Sequence, residues 1–319
     1  MESHLRSLIH IAELYYQEGL SQSAIADILS TSRATVSRLL DEAKSRGIVE
    51  IIVHNPVVKN SALSSQLRSR LHLRDAIVVT GGMTPDRALQ DSSEAAVQFL
   101  SAVMENNITL GIAWGRAVQY CCDKMQPDED YHNIHVAQMA GCLGDGSSNL
   151  GGLELSLRMA QKLHGTYSNI YAPIVVSNEA TYAYLTAEKQ IKIALEKAER
   201  VNIVLSGVGL PTDDHSSMFR AGCFTREERQ EMIAKGGAAI ILARWIDKEG
   251  RELFCPGHYT IAAPLEAMRN ASWSIGVCAS AERAGSVLAA LRGGYFNTLV
   301  VDDSLARELL KQTEAQEIS

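Results

Sequence analysis

The sequence has no run of roughly 18 apolar residues, which is the length that a helix needs to cross a bilayer. Its first six residues, MESHLR, lack the apolar segment of a secretory signal peptide. The six cysteines form no CxxC pair, so neither a zinc site nor a disulfide framework is indicated. These absences predict a cytoplasmic protein that contacts no membrane, and no motif predicts a metal or a cofactor.

Familiar catalytic motifs are also missing. The chain contains no nucleophile elbow, no HExxH and no Walker loop, and no local pairing of carboxylates marks an acid and a base. Active sites assemble from distant positions, so such an absence is weak evidence. We predict that the protein is not an enzyme.

The length of the chain predicts more than one domain, and its charge bears on nucleic-acid binding. The chain has 319 residues, of which 46% are hydrophobic, which is enough for a large core and a second domain. The net charge of −7 argues against nonspecific binding of nucleic acid. Four of the five Lys and Arg residues in positions 1–56 nevertheless lie between positions 33 and 46, so positive charge is local.

That segment reads LSQSAIADILSTSRATVSRLLDEAKSRGIV (20–49) and predicts two short helices joined by a polar turn. The first places Ala24, Ile25, Ile28 and Leu29 on one apolar stripe, and Ser21 is a candidate cap. The second places Val36, Leu39, Leu40 and Ala43 on one inward face. Ala34, Arg38, Asp41 and Ser45 then face outward.

The second helix suits the major groove of DNA. Its N-terminal residues are short, hydrogen-bonding or cationic, which is what base edges and phosphates require. The predicted DNA-binding residues are Gln22, Ser32, Arg33, Thr35, Ser37 and Arg38. An ordinary helical hairpin would show the same spacing, so this alternative stays open. Residues 48–53 alternate weakly and predict a strand, which would form the wing of a winged helix.

We expect a first helix over residues 4–16, with an inward stripe of Leu5, Leu8, Ile9, Ala12 and Tyr16 that packs behind the pair. Residues 54–62 are polar and contain a proline. The predicted division is therefore a helix-turn-helix domain at 1–55, a linker at 56–62 and a second domain at 63–319. A short helix after residue 62 would be a strut on the second domain or a dimer contact.

From residue 75 onward, strand-like and helix-like runs alternate, which predicts an α/β domain with a largely parallel sheet. The predicted strands are 76–80, 108–112, 136–139, 170–176, 201–205, 238–243, 275–279 and 298–301. The predicted helices are 87–104, 116–124, 151–163, 188–198, 226–234, 282–292 and 303–311.

Glycines follow three of these strands, where ligands of parallel α/β sheets bind. They are Gly111 and Gly115 with Arg116, then Gly141 and Gly144, then Gly207 and Gly209. Glycine lets backbone N–H groups approach an anion, and Arg116 adds further donors. Packing alone also requires glycines in such folds, so each turn by itself is weak evidence.

Four other candidates have equally ordinary explanations. Asn149 and Glu154 either bind sugar hydroxyls or cap and solvate the helix at 151–163. Glu282, which with Arg283 opens another helix, suits a helix N-terminus without any ligand. Trp114 either stacks on a sugar or fills the core.

Several sequence motifs resemble those of one protein family. The first module contains YY-x-x-GLSQ-x-x-IA (15–26), SR-x-TVSRLL (32–40) and A-x-x-x-GIV (43–49). The second domain contains GIAWGRAV (111–118), SGVG (206–209), IDKEG (246–250) and ALRGGYFNTLVVDDSLARELL (290–310). Together these segments resemble the SorC family of bacterial sugar-responsive transcriptional regulators over nearly the whole chain.

The resemblance implies a Rossmann-like α/β effector domain related to sugar-phosphate isomerases and CoA transferases. It also implies binding of a sugar phosphate or related derivative, and assembly as homodimers or homotetramers. The effector-binding residues that we carry forward are Gly111, Trp114, Gly115, Arg116, Gly141, Gly144, Asn149, Glu154, Gly207, Gly209, Glu282 and Arg283.

The chain departs from the family pattern at three places. Ala113 and Ala117 stand where relatives often carry hydroxyl residues. The segment 239–241 lacks the acidic residue of some relatives, and Arg283 replaces a lysine, so no Schiff base can form there. These departures suggest an unusual sugar, an unphosphorylated polyol or a phosphate held in a different pose.

The leading hypothesis is a regulator of a carbohydrate operon that binds double-stranded operator DNA under control of the sugar derivative. One alternative is a sugar-phosphate isomerase or transferase with an added helical module. Another is a DNA-binding protein whose α/β domain only oligomerises.

Overall fold

A computed structural model describes residues 2–49, 57–82, 84–126, 131–143, 152–212 and 216–317. The chain divides into two units, Met1–Pro56 and Val57–Ser319. Within the described part, none of the helices combines the length and apolar character needed to cross a membrane.

The first unit contains three helices: α1 (Glu2–Tyr16), α2 (Gln22–Ile28) and α3 (Arg33–Ser45). Ser21 caps α2 by accepting from the N–H of Ala24, as predicted. Ser32 caps α3 by accepting from the N–H of Thr35. Each such cap is worth about 1 kcal/mol. The polar turn between the two helices therefore fixes where the second one starts.

The core of the first unit confirms the predicted stripe of α3 and corrects the other two. Val36, Leu40 and Ala43 are buried. On α1 the buried residues are Leu8, Ile11, Ala12 and Leu14, whereas Leu5, Ile9 and Tyr16 are exposed. On α2, Ile25 and Ala26 are buried and Ile28 is exposed. The predicted faces were rotated because both helices carry apolar residues on more than one side, which leaves the inward face ambiguous.

The structure describes only part of the predicted wing and linker. Ile48 and Val49 form a bend after Gly47, and the rest of the predicted strand lies outside the described residues. Residues 57–60, which include part of the predicted linker, are hydrogen-bonded to the second unit. The backbone N–H of Asn60 donates to Val78 O (2.8 Å), and Val58 O accepts from the backbone N–H of Thr80 (2.7 Å). These hydrogen bonds satisfy backbone groups at the edge of a sheet.

The helices of the second unit are α4 (Ser61–Arg70), α5 (Pro85–Val103), α6 (Arg116–Lys124), α7 (Gly152–Lys162), α8 (Glu179–Ala187), α9 (Lys189–Glu199), α10 (Ser217–Arg220), α11 (Arg226–Ala234), α12 (Glu266–Asn270), α13 (Ala284–Arg292) and α14 (Asp303–Glu317). A single 3-10 turn, Ala281–Arg283, precedes α13.

Its strands are β1 (Asp75–Val79), β2 (Thr109–Ile112), β3 (His135–Gln138), β4 (Thr166–Ser168), β5 (Val175–Val176), β6 (Ile203–Ser206), β7 (Gly237–Ile241), β8 (Arg244–Asp247), β9 (Glu252–Leu253), β10 (Tyr259–Thr260), β11 (Trp273–Cys278) and β12 (Thr298–Asp302). Seven of them form a parallel sheet in the order β1-β12-β11-β6-β2-β3-β4.

The strand order creates a switch point in the middle of this sheet. β2 and β6 are neighbours, but the chain continues from β2 to β3 on one side and from β6 towards β11 on the other. In open parallel sheets the diverging connections leave a crevice beyond the carboxyl ends of such strands. The glycine turns after β2 and β6 therefore meet at this crevice.

Two small antiparallel sheets complete the second unit. β7, β8 and β9 form one, and β5 pairs with β10 in the other. Of the predicted strand at 170–176 only β5 is a strand, and the predicted strand at 238–243 became β7 of the antiparallel sheet. The structure is nevertheless the predicted α/β class, with a helical module followed by a Rossmann-like domain.

Candidate nucleic-acid interface and effector cavity

The N-terminal end of α3 presents the predicted DNA-reading residues on one exposed surface. Arg33, Ala34 and Arg38 are exposed, and Thr35 and Ser37 are half-buried. Ser32 is committed to the helix cap, where its Oγ also lies 2.8 Å from Thr35 Oγ1. Gln22 is half-buried at the first position of α2. The arrangement suits a helix whose first turns enter the major groove.

Two of the four cationic residues on α3 and at its C-cap form ion pairs, and two do not. Arg46 contacts Glu42 at 2.7 Å, and Lys44 lies 3.7 Å from Asp41. In the part of the chain that the structure describes, neither Arg33 nor Arg38 forms an ion pair. The local positive charge is therefore concentrated at the N-terminal end of the helix, where phosphates and base edges would be contacted.

Glu42 ties α3 to α1. Its carboxylate accepts from the ring of His4 at 3.0 Å, and this hydrogen bond, with charge contributions from His4 and Arg46, lowers the pKa of Glu42. The contact joins α1 to the C-terminal half of α3, one helical turn after Arg38.

A cavity of about 230 Å³ lies at the switch point of the parallel sheet. We call it the switch-point cavity. It is bounded by the segments that follow β2, β6 and β11, by the tip of the β7–β8 hairpin and by α10. Its described lining consists of Leu89, Ala113, Trp114, Gly115, Arg116, Ala117, Ser206, Gly207, Val208, Gly209, Leu210, Ser216, Met218, Arg220, Ile240, Leu242, Ala243, Val277, Cys278, Ala279 and Arg283.

The N-terminus of α6 opens onto this cavity. Its N-cap residue is Gly115, which has φ +101° and offers no side chain to the first turn. Helix N-termini carry backbone N–H groups without intrahelical acceptors and a partial positive charge. An anion in the cavity is therefore the natural partner of this helix end.

The 207–209 loop forms the opposite wall. Gly209 exchanges two backbone hydrogen bonds with Ile240 of β7, at 2.9 and 3.0 Å. On its other side, Arg283 Nη1 donates to Val208 O at 3.1 Å. A Cβ on Gly207 would lie 3.6 Å from Val277 O and 3.8 Å from the Cβ of Ala117. The missing side chain thus keeps this wall close to the first turn of α6.

Arg116 is held at the cavity by a polar cluster. Its Nη1 lies 3.6 Å from Asp86 Oδ1, the same oxygen that accepts from the hydroxyl of Tyr120 at 2.7 Å. Burial and the hydrogen bond to Asp86 raise the pKa of Tyr120, which keeps it a donor. Both Arg116 and Asp86 are about half exposed, so their ion pair is weak and an entering anion can replace it.

Six of the predicted effector-binding residues line the switch-point cavity: Trp114, Gly115, Arg116, Gly207, Gly209 and Arg283. Four others lie elsewhere. Gly111 is packed in β2, where a Cβ would meet Met139 Sδ at 2.5 Å. Gly141 packs in the same way against the carbonyls of Ala172 and Pro173.

Glu154 lies on α7, within 4.0 Å of Arg158, and Glu282 lines a separate cavity with Lys248 and Arg292. Both acidic side chains are exposed, and neither lines the switch-point cavity. Gly144 and Asn149 lie outside the described residues.

Sequence reasoning missed several lining residues. Arg220 and Met218 come from α10, a helix too short to leave a periodic signal. Leu242 and Ala243 form the two-residue turn of the β7–β8 hairpin, with φ of +46° and +64°. Such turns normally carry Asn-Gly, so no turn signal marked this one.

Metal ligation is not apparent in the described ranges, where no group of three or more His, Cys, Asp or Glu side chains could hold an ion. The lining of the cavity combines backbone N–H groups and guanidinium groups with apolar side chains. This arrangement can bind an anionic head group together with a small, partly apolar body.

Comparisons with known proteins agree with this architecture. Residues 55–311 match the family described as "Putative sugar-binding domain". The chain is 30% identical over 307 residues to the deoxyribonucleoside regulator of Bacillus subtilis (strain 168), covering 95% of this chain and 96% of that protein. It is 26% identical over 310 residues to the sorbitol operon regulator of Klebsiella pneumoniae, covering 96% and 98%.

The fold is similar to the crystal structure of the full-length sorbitol operon regulator SorC from Klebsiella pneumoniae. The TM-score is 0.73 at 24% identity, over 97% of this chain and 100% of that one. The match to the sugar-binding family model and the identity to these regulators over nearly the whole chain show that this chain belongs to the SorC family of sugar-responsive transcriptional regulators.

Proposed function

We propose that a sugar phosphate, or a closely related anionic sugar derivative, binds in the switch-point cavity and controls the binding of operator DNA by α3. One observation carries the proposal: the uncapped N-terminus of α6, the 207–209 loop, Arg116 and Arg283 line a single cavity. Helix N-termini, glycine loops and guanidinium groups are the recurrent phosphate-binding elements of proteins.

The rest of the lining suggests what the phosphate is attached to. Apolar side chains of Met218, Ile240 and Leu242 face the cavity, and the indole of Trp114 borders it. Ser206 and Ser216 supply hydroxyl groups. A monosaccharide derivative has polar edges for such hydroxyls and an apolar C–H face for an aromatic ring. The relatives named above regulate deoxyribonucleoside and sorbitol operons, which supports a ligand of this size and class.

At the DNA, we propose that α3 lies in the major groove, with Arg33 and Arg38 contacting phosphates or a guanine. Thr35 and Ser37 would contact base edges, and Gln22 a phosphate. One helix with two available arginines makes few phosphate contacts, so tight binding requires at least two copies of the chain. We therefore propose a homodimer or homotetramer that reads paired half-sites.

The test is fluorescence anisotropy with DNA from upstream of the protein's own operon, with and without sugars and sugar phosphates. We expect selective, salt-sensitive binding that one phosphorylated sugar alters at least fivefold, the lower range of allosteric coupling. Selective binding that no compound alters would contradict the proposed sensor. Unselective binding at low salt would contradict the proposed DNA interface.

The same compounds test the alternative that the protein is a sugar-phosphate isomerase or transferase. Each is incubated with the purified protein and followed by NMR. A regulator leaves the compound that alters DNA binding unchanged, whereas an isomerase converts it to a second sugar phosphate. A mutant lacking the guanidinium of Arg116 serves as the binding-deficient control in both assays.

A further inference from the structure

Ser280 has a backbone conformation that serine rarely adopts. It follows β11 with φ +84° and ψ +127°, outside the regions that side chains with a Cβ readily occupy. Glycine would adopt this conformation without strain. Residues held in such regions persist only where their surroundings enforce them, and they cluster at binding sites.

Asp302 enforces this conformation. It is the last residue of β12 and is only 5% exposed. Its Oδ1 accepts from the backbone N–H of Ser280 at 2.8 Å, and its Oδ2 accepts from the hydroxyl of Ser304. A hydrogen bond to a buried carboxylate is stronger than one between neutral groups. Ser280 is therefore fixed by a neighbouring strand, not by its own sequence preference.

The turn determines where Arg283 lies. Directly after Ser280 the chain forms the 3-10 turn Ala281–Arg283, and Arg283 lines the switch-point cavity. Its Nη1 donates to Val208 O, so it also fixes the 207–209 loop. Asp302 itself does not belong to the described lining of the cavity. Its effect on a ligand would act through Ser280 and Arg283.

We propose that Ser280 and Asp302 are positioning residues: the strained turn at Ser280, held by Asp302, preorganises Arg283 and the 207–209 loop for the anion of the effector. This inference rests on the proposed function of the switch-point cavity. Preorganisation raises affinity because less conformational entropy is lost on binding. Relaxing the turn should therefore weaken anion binding without weakening the fold.

The central variant is Ser280→Gly. Glycine keeps the backbone N–H for Asp302 and accepts the positive φ without strain, but it leaves the turn free to move. The probe is inorganic phosphate, titrated at constant ionic strength and followed by ³¹P NMR. We expect the dissociation constant to rise about two- to tenfold, the usual cost of ordering one long side chain. The urea midpoint should stay equal or rise.

The matched control is His72→Gly, because His72 also has a positive φ (+52°) but lies between α4 and β1 and does not belong to the described lining of the cavity. It should bind phosphate as the wild type does. Ser280→Ala keeps the restricted backbone and should lose less affinity than Ser280→Gly. Asp302→Ala removes the acceptor and should weaken binding, and Asp302→Asn, which can still accept from Ser280, should restore most of it.

The outcomes distinguish the positioning role of Ser280 and Asp302 from the proposed anion site itself. If the wild type and Ser280→Gly bind phosphate equally, or if affinity falls only together with the urea midpoint, the positioning role is wrong and the effector cavity stands. If Asp302→Asn binds no better than a folded Asp302→Ala, the role of Asp302 is wrong. If the wild type binds no phosphate at all, the proposed anion site fails, and the positioning role fails with it.

Discussion

Arg38 lies on α3 and Arg46 directly follows the helix as its C-cap, and the two differ in their ion pairing. Arg38 is exposed and has no ion-pair partner among the described residues, whereas Arg46 is held by Glu42 at 2.7 Å. We expect Arg38→Ala to cost about 1–3 kcal/mol of DNA-binding free energy if the guanidinium contacts a guanine. A phosphate contact would instead reduce the slope of log K against log salt by about one.

Fluorescence anisotropy at several salt concentrations distinguishes these contacts. Arg46→Ala is the control and should leave both affinity and salt slope nearly unchanged. Phosphate binding in the switch-point cavity should be the same in both variants. Equal losses of DNA affinity in the two variants would show that general charge, not the position of Arg38, drives binding.

The variant Gly207→Ala tests the switch-point cavity by adding a single methyl group to its lining. An added Cβ would meet Val277 O and Ala117 at ordinary contact distances, so Gly207→Ala should fold normally. The methyl group would nevertheless occupy space beside the first turn of α6. Overpacking a close-fitting site costs about 1–3 kcal/mol, so affinity for inorganic phosphate should fall about fivefold or more.

The control for this variant is Gly285→Ala on α13. A Cβ there would meet nothing within 4 Å, and alanine favours a helix interior. Titration calorimetry should find unchanged phosphate binding in Gly285→Ala. Unchanged binding in Gly207→Ala would mean that the ligand does not approach the 207–209 loop.

The β7–β8 hairpin carries strain at the edge of the cavity. Leu242 and Ala243, its two turn residues, are buried and have positive φ values. Left-handed backbone costs a residue with a Cβ about 1–2 kcal/mol. We expect Ala243→Gly to raise the free energy of unfolding by up to about 1 kcal/mol, since glycine relieves this strain but gains entropy in the unfolded chain.

Urea unfolding measures the effect. The control is Ala239→Gly in β7, where φ is not positive and the side chain is fully buried. That variant should be destabilised by about 1 kcal/mol or more through lost packing and added flexibility. Destabilisation of both variants alike would show that the turn is not strained.

The elements that could be predicted from sequence are those with a strong local period. The first helices with their serine caps, the long helices α5 and α13, and the core strands β2, β6, β11 and β12 all lie close to their predicted positions. The elements that were missed have no such period. β8, β9 and β10 are two to four residues long, and the turn between β7 and β8 lacks Asn and Gly.

The site was predictable where glycine marks a strand end. The turns at Gly115 and Gly207 meet because their strands β2 and β6 are neighbours, a fact of topology that spacing along the chain does not contain. Gly111 and Gly141 look alike in sequence but serve packing. Arg220 and Asp302 act through tertiary placement, and no local pattern distinguishes them from ordinary surface or strand-end residues.

At the scale of the whole molecule, each unit has a hydrophobic core of its own. Residues such as Ile25 and Val36 form the core of the first unit, and the parallel sheet forms that of the second. The chain enters the second unit through residues 57–60, which are hydrogen-bonded to the end of β1. β1 pairs with β12, and Asp302, the last residue of β12, accepts a hydrogen bond from Ser280 in the turn before Arg283. The neighbouring strands β1 and β12 therefore link residues 57–60, where the chain enters the second unit, to the turn beside the switch-point cavity.

With the proposed homodimer or homotetramer, regulation depends on how the copies of the chain are arranged on DNA. Paired reading helices bind half-sites about one helical turn apart, or a multiple of it. Inserting about 5 base pairs between the half-sites should reduce affinity to that of a single half-site, because the second site rotates to the opposite face. Inserting a full turn of about 10 should restore part of it.

Anisotropy on this series of operators, with and without the active sugar derivative, links spacing to ligand. A ligand acts only if it binds one arrangement of the copies better than another, so it should change the preferred spacing or the penalty for a wrong one. Affinity that is independent of the insertion would mean that each copy binds alone. The effector would then have to act on the reading helix of a single chain, not on the distance between two.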